Sequence, residues 1–172
     1  MNHRADVTLV AFERRHLDAT LAWSNDPELQ RLLDRSRPFD PGEHLRWFAS
    51  LAGRSDTMFR AIHLADGRHV GNVWLADIDR RHRKAEVRVL IGDRPTMGGG
   101  AGSTAIDLMA RHAFDTLGLH RVYAYVLAFN PRARRAFEKA GFVLEGTLKD
   151  DRWDGAQFVD AFLLGRVNVS ER

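Results

Sequence analysis

Cysteine is absent from this chain of 172 residues, which excludes disulfides, thiolate metal sites and a cysteine nucleophile. Long apolar runs are absent too. Nothing approaches the roughly 18–20 residues needed to span a bilayer, so no membrane partner is expected. The opening Met1-Asn2-His3-Arg4-Ala5-Asp6 has no apolar stretch of the secretory-signal kind, and a cytoplasmic protein is the expectation. Charge of a single sign is lacking: 26 Lys and Arg stand against 23 Asp and Glu, a net +3. The arginines are scattered among acids with no basic stripe, which argues against nucleic acid as the main ligand. Repeats, low-complexity tracts and linkers are missing as well. With 44% hydrophobic residues, the whole chain, 1–172, reads as one domain long enough to bury a core.

What is present alternates between strand and helix patterns. Residues 7–12 read as a strand, and 14–23 as a short helix ending near Asn25-Asp26-Pro27. A second helix opens at Pro41 and runs through Phe48, with Asp40 as its N-cap. Residues 58–65 and 69–76 form a hairpin through Asp66-Gly67-Arg68, and 84–91 adds a third antiparallel strand. Ile106, Met109, Ala110, Ala113, Phe114 and Leu117 then recur at helical spacing, with Gly118 as the C-cap. A strand over 120–127, a helix over 131–140 capped by Asn130, and strands over 142–149 and 157–164 hinged at Asp154-Gly155 complete the chain. The order is β-α-α-β-β-β-α-β-α-β-β, an α/β fold on a mixed sheet.

Between the third strand and the long helix lies Met97-Gly98-Gly99-Gly100-Ala101-Gly102. Several residues without Cβ atoms at a strand-to-helix junction expose bare backbone N–H groups at a helix N-terminus, an anion site. Gly100-Ala101-Gly102-Ser103-Thr104-Ala105 fits the dinucleotide pattern, but that pattern begins a βαβ unit and is followed about 20 residues on by an acid. Here three antiparallel strands come first, and the next strand ends Leu127-Ala128-Phe129 without an acid. A P-loop is excluded because no Lys-Ser or Lys-Thr follows the last glycine. A flexible turn remains the plain alternative.

One strand later comes Asn130-Pro131-Arg132-Ala133-Arg134-Arg135-Ala136-Phe137-Glu138-Lys139-Ala140-Gly141-Phe142. Together with the glycine cluster, this closely resembles the GNAT N-acetyltransferase family, whose signature is R/Q-x-x-G-x-G/A followed by N-x-x-(S/A)-x-x-x-(Y/F/L)-E-K-x-G-F. The resemblance covers the whole chain in element order and implies a GNAT-like, mostly antiparallel sheet with helices on both faces. Ile91-Gly92-Asp93, Leu119-His120-Arg121-Val122, the run from Glu145 to Asp150, Asp154-Gly155 and Asp160 resemble the branch of ribosomal-protein N-terminal and aminosugar acetyltransferases. Trp23-x-Asn25-Asp26-Pro27 and His44-x-x-Trp47 resemble enzymes that acetylate a sugar-nucleotide amine.

The resemblance implies acetyl-CoA as cofactor, its pyrophosphate held by the backbone of Met97, Gly98, Gly99, Gly100, Ala101, Gly102 and Ser103. Met97 stands at the usual Arg or Gln position, and Gly99 where Lys or Arg is common. Arg132, Arg134 or Arg135 would compensate, although an Arg-rich helix face is ordinarily just solvated. Leu90 and Ile91 end the strand that in the family splays from its neighbour and bonds the pantetheine. Asn130 matches the signature Asn and equally suits a helix N-cap.

Acyl transfer to an amine needs a neutral amine, a stabilised oxyanion and a protonated leaving thiol. Glu86 is the candidate base, its plainer role being an ion pair with Arg88 or Lys84. Many family members protonate the thiolate with a Tyr where this chain has Phe137. The two tyrosines, Tyr123 and Tyr125, both lie on the preceding strand, and one of them or water must serve instead. Trp23, Asn25, His44, Trp47, Trp74 and Asp160 are the candidate acceptor-binding residues, with core packing or hairpin support as the competing roles. The reaction implied is N-acetylation of a primary amine, on a protein N-terminus or an aminosugar, with a polyamine also open. The alternative is a coenzyme A-binding module without turnover. Dimers are common in the family, which leaves a homodimer open; the sequence does not set the oligomeric state.

Overall fold

In a computed structural model, residues 6–35 and 37–171 are described; the N-terminal stretch read above for a signal lies largely outside them. The elements are β1 (Val7–Ala11), α1 (Leu17–Ser24), α2 (Pro27–Leu32), α3 (Pro41–Leu51), β2 (Met58–Leu64), β3 (His69–Asp79), β4 (Lys84–Ile91), α4 (Ala101–Asp115), β5 (Arg121–Leu127), α5 (Pro131–Lys139), β6 (Val143–Trp153) and β7 (Phe158–Val167). The strands make one seven-stranded sheet in the order β1-β2-β3-β4-β5-β7-β6. All neighbours are antiparallel except β4 and β5. The expected mixed, mostly antiparallel α/β architecture is therefore present.

Alternation along the strands sorts side chains onto two faces. Val73 and Leu75 of β3, Ala85 and Val87 of β4, and Val122, Ala124 and Val126 of β5 join α4 and α5 in one buried core. The α4 stripe is Ile106, Met109, Ala110 and Ala113, flanked by partly buried Phe114 and Leu117, as its spacing predicts. The intervening residues Trp74 and Leu90 turn to the opposite face, where Leu29, Leu32, Leu33 and Trp23 cover them. Glu86, Tyr123 and Tyr125 share that second face by the same alternation.

Helix α2 is absent from the sequence-level reading, which took Asn25-Asp26-Pro27 as a helix end. Asp26 is in fact a start: its Oδ1 accepts from the amides of Glu28 (3.0 Å) and Leu29 (3.2 Å), and Pro27 occupies the first turn. Asp40 caps α3 as expected, in a reciprocal capping box with Glu43. The last two strands form their hairpin, but β7 rather than β6 joins β5, leaving β6 at the edge. Among the described residues, no helix is long and apolar enough to cross a membrane.

Candidate active site

Strands β4 and β5 pair only at Lys84–Arg121, Ala85–Val122 and Glu86–Tyr123. Past Glu86 both strands continue, β4 still paired to β3 as far as Ile91 and β5 to β7 as far as Leu127. The two arms are thus held from outside while the sheet opens between them. Backbone groups on the inner edges have no strand partner there, and such groups demand one. A cleft of about 680 Å³ follows the opening, walled by residues 87–91 of β4, 125–127 of β5, the glycine loop and α5. Phe137 of α5 lies in the cleft wall.

At one end of the cleft α4 begins without a side-chain cap. Gly100 sits at its N-cap in the left-handed region (φ 90°), and Gly98 shares that conformation (φ 84°). The helical ladder starts with the Thr104 amide donating to the Gly100 carbonyl at 3.1 Å. The amides of Ala101, Gly102 and Ser103 precede it and have no intrahelical acceptor. By contrast α2, α3 and α5 are capped by Asp26, Asp40 and Asn130. Uncapped amides at the positive end of a fifteen-residue helix suit a phosphate. The loop is also pinned: Arg94 donates to Asp26 and to Glu28, each at 2.7 Å, tying it to α2. A Cβ on Gly102 would lie 3.5 Å from Cγ1 of Ile91, so the helix start abuts the end of β4. Arg132, Arg135 and Lys139 of α5 line this end as cations.

The other end lies on the α1–α3 face. Glu86 is buried, 6% exposed, and its Oε2 accepts from Nη2 of Arg88 at 2.7 Å. That bond holds Arg88 above the usual guanidinium pKa. Asp77, left-handed at φ 51°, stands where the β3–β4 register shifts. The residues after α2, Leu33, Asp34 and Arg35, wall the cleft with Trp74, Tyr125 and Arg152. Asp34 pairs with Nε of Arg152 at 3.1 Å. Burial, and then the charge of Arg88, lower the pKa of Arg35.

Residues 6–143 match the family model of the acetyltransferase (GNAT) domain. The chain belongs to the GNAT family. It is similar to the spermidine N(1)-acetyltransferase of Vibrio cholerae, 33% identical over 91 residues, 53% of this chain and 52% of that protein. The corresponding protein of Escherichia coli K12 is 31% identical over 102 residues, 59% of this chain and 54% of its own. The matched stretch thus spans about half the length of these curated relatives. The fold agrees over a longer span with the crystal structure of the Vibrio cholerae spermidine N-acetyltransferase in complex with CoA and spermine. There the TM-score is 0.85 at 24% identity, covering 94% of this chain and 95% of that one.

The cleft thus joins an uncapped helix start, of the kind that suits a phosphate, to a splayed strand pair. Of the residues expected there, Leu90, Ile91, Met97, Gly98, Gly100, Gly102, Ser103, Asn130, Arg132 and Arg135 line the cleft. Gly99 and Ala101 do not; Ala101 is 1% exposed and packs in the core beneath the loop. Arg134 turns away to pair with Glu138 at 2.9 Å and lie over Phe162. Asn130 performs the cap, Oδ1 accepting from the Ala133 amide at 3.1 Å, while facing the cleft.

Glu86, Tyr125 and Trp74 line the cleft; Tyr123 does not. The Tyr123 hydroxyl is held above its ordinary pKa by burial and by Glu86, which keeps it protonated. Five expected acceptor residues do not line the cleft and make contacts elsewhere. Trp23 packs flat against Gly92, where a Cβ would meet its ring at 2.0 Å. Asn25 brackets Phe39, accepting from its amide at 2.7 Å and donating to its carbonyl at 2.9 Å. His44 contacts the Leu17 carbonyl at 3.2 Å and stacks on Trp47, which packs edge-on to Phe12 and Phe59. Asp160 accepts from Lys149 (2.6 Å) and the Asp150 amide (3.0 Å) and braces the β6–β7 hairpin. Asp34, Arg35, Asp77, Arg88 and Arg152 line the site without having been singled out as acceptor residues. The signal available for the first two was Asp26-Pro27, which starts the helix that delivers them.

Replacing Gly100 by Val forces a β-branched residue into φ 90° at the helix start, a strain of about 1–3 kcal/mol. The KM for acetyl-CoA is expected to rise tenfold or more. An unchanged KM would remove the glycine loop from the donor site.

Proposed function

We propose that this GNAT domain acetylates a primary amine by direct transfer from acetyl-CoA. The observation that carries the reading is one continuous cleft with the uncapped start of α4 at one end and Glu86 at the other. Acetyl-CoA supplies the thioester carbonyl as electrophile and a thiol as leaving group. The amides of residues 101–103 orient its pyrophosphate, and the unpaired inner edge of β4 offers N–H donors beside the splay. Glu86 accepts the proton of the incoming ammonium. Tyr125, in the cleft, is the hydroxyl able to return a proton to sulfur; Phe137 has none.

The names of the relatives favour a polyamine over a protein N-terminus or an aminosugar as the acceptor class to assay first. Thiol release from acetyl-CoA, scanned across spermidine, peptides and aminosugars, tests the reading. Turnover on an amine supports it. Coenzyme A binding with no turnover on any amine would instead favour a binding module, and absence of binding would sink both.

A further inference from the structure

Arg35 ends the segment that α2 delivers to the cleft, and it makes no ion pair among the described residues. Its guanidinium lies over the ring of Phe39, 5.1 Å from the centroid, and the charge it feels is that of Arg88. The carboxylates nearby are committed elsewhere: Asp34 to Arg152 at 3.1 Å, Glu86 to Arg88 at 2.7 Å. Asp77 also lines this end, and its charge acts on Arg88 without a close salt bridge among the described residues. The acceptor end is therefore bipolar, with carboxylates at Asp34, Asp77 and Glu86 and guanidiniums at Arg35, Arg88 and Arg152 in the same wall. An acceptor carrying only cations would add to the repulsion at Arg35. An anionic group would relieve it and gain charge-assisted, forked hydrogen bonds.

We propose that the acceptor amine carries an anionic group, a carboxylate or phosphate, bound by Arg35 with Arg88 in support, while its ammonium lies toward Glu86 and Asp77. The acceptor class is then an amino acid or an amino phosphate rather than a bare polyamine. The proposal rests on the amine-acetylation reading above but departs from the polyamine class that the relatives' names favour.

Thiol release from acetyl-CoA with matched acceptors tests it: lysine against cadaverine, phosphoethanolamine against ethanolamine, and spermidine in parallel. Wild type is expected to show kcat/KM about tenfold higher for the anionic member of at least one pair; the pair that responds distinguishes carboxylate from phosphate. Arg35→Gln is expected to lose that preference mainly through KM, and Arg35→Lys to keep part of it. Calorimetric binding of coenzyme A to both variants verifies that they fold. A wild-type preference for spermidine or for the members without carboxylate or phosphate overturns the proposal, as does an Arg35→Gln variant that slows both members equally. Should no amine turn over, the acetylation reading fails and the Arg35 site is read by titrating lysine and phosphoethanolamine into the coenzyme A-loaded protein. Weaker binding in Arg35→Gln then supports the anion site; equal or undetectable binding in both proteins overturns it.

Discussion

Glu86→Gln is expected to lower kcat about a hundredfold at neutral pH, the usual scale for loss of a positioned base. Glutamine keeps the size and can still accept from Arg88, but it cannot take the proton that an ammonium must lose before attack. The residue is the last one at which β4 and β5 are paired, so its side chain stands where the sheet begins to open. An ion-pairing role alone makes a different prediction. In that case Arg88→Gln, which breaks the same 2.7 Å contact, should do as much damage as Glu86→Gln. A base role predicts a much smaller kcat loss for Arg88→Gln, with the effect falling on KM. It also predicts that kcat of the wild type rises with pH and that this rise shifts to higher pH in Glu86→Gln. A wild-type pH–rate profile in that variant would remove Glu86 from the chemistry.

The second large effect is on stability in acid. His16 is 2% exposed, and its Nδ1 accepts from the Glu13 amide at 2.9 Å. The other ring nitrogen, Nε2, must then carry the hydrogen and donate to Nε2 of His63, 3.0 Å away. His69 packs against both rings, at 4.7 Å and 5.8 Å. Protonation of His16 would turn an acceptor into a donor facing an amide, inside a wall of imidazoles. Burial first, then His69, His63 and Arg15, hold its pKa at about 4, against 6.5 when unfolded. Above pH 6.5 neither state is protonated there and no penalty exists. Between 6.5 and about 4 only the unfolded chain takes the proton, so stability falls as pH drops, and it levels off below that. At about 1.4 kcal/mol per pH unit, the loss across this window is about 3 kcal/mol. His63 and His69, also lowered by burial, act in the same direction. Urea unfolding of wild type and His16→Gln at pH 7, 6, 5 and 4.5 gives the check. The two curves should converge as pH falls; parallel curves would show that His16 is not the source.

How much was legible in the sequence depended on the kind of signal each element carries. The α4 stripe and the Asn130–Phe142 signature were legible because periodicity and a cap are local properties, and the structure keeps both. The splay at Leu90 and Ile91 came only through family resemblance, since nothing in the composition of β4 forbids further pairing. Helix α2 was missed because it is six residues long, and an Asp-Pro pair can close one helix as well as open the next. Five of the six expected acceptor residues lie outside the cleft wall for a related reason. Trp23 and Trp47 are large apolar groups, and burial in a core and exposure in a pocket look alike in a sequence. Asp34, Arg35 and Asp77 read as ordinary surface charge until the fold gathers them at one end of the cleft.

The uncapped start of α4 has a consequence for genetics. Its ligand-facing groups are main-chain amides, which every residue except proline supplies alike. A scan replacing side chains with alanine would leave those amides in place, and would register mainly at Gly98 and Gly100, whose left-handed backbone disfavours a Cβ. Substitution in this loop can therefore depart from the family signature, as Met97 and Gly99 do, while leaving the main-chain amides in place. The recognisable part of such a site wears away sooner than the working part.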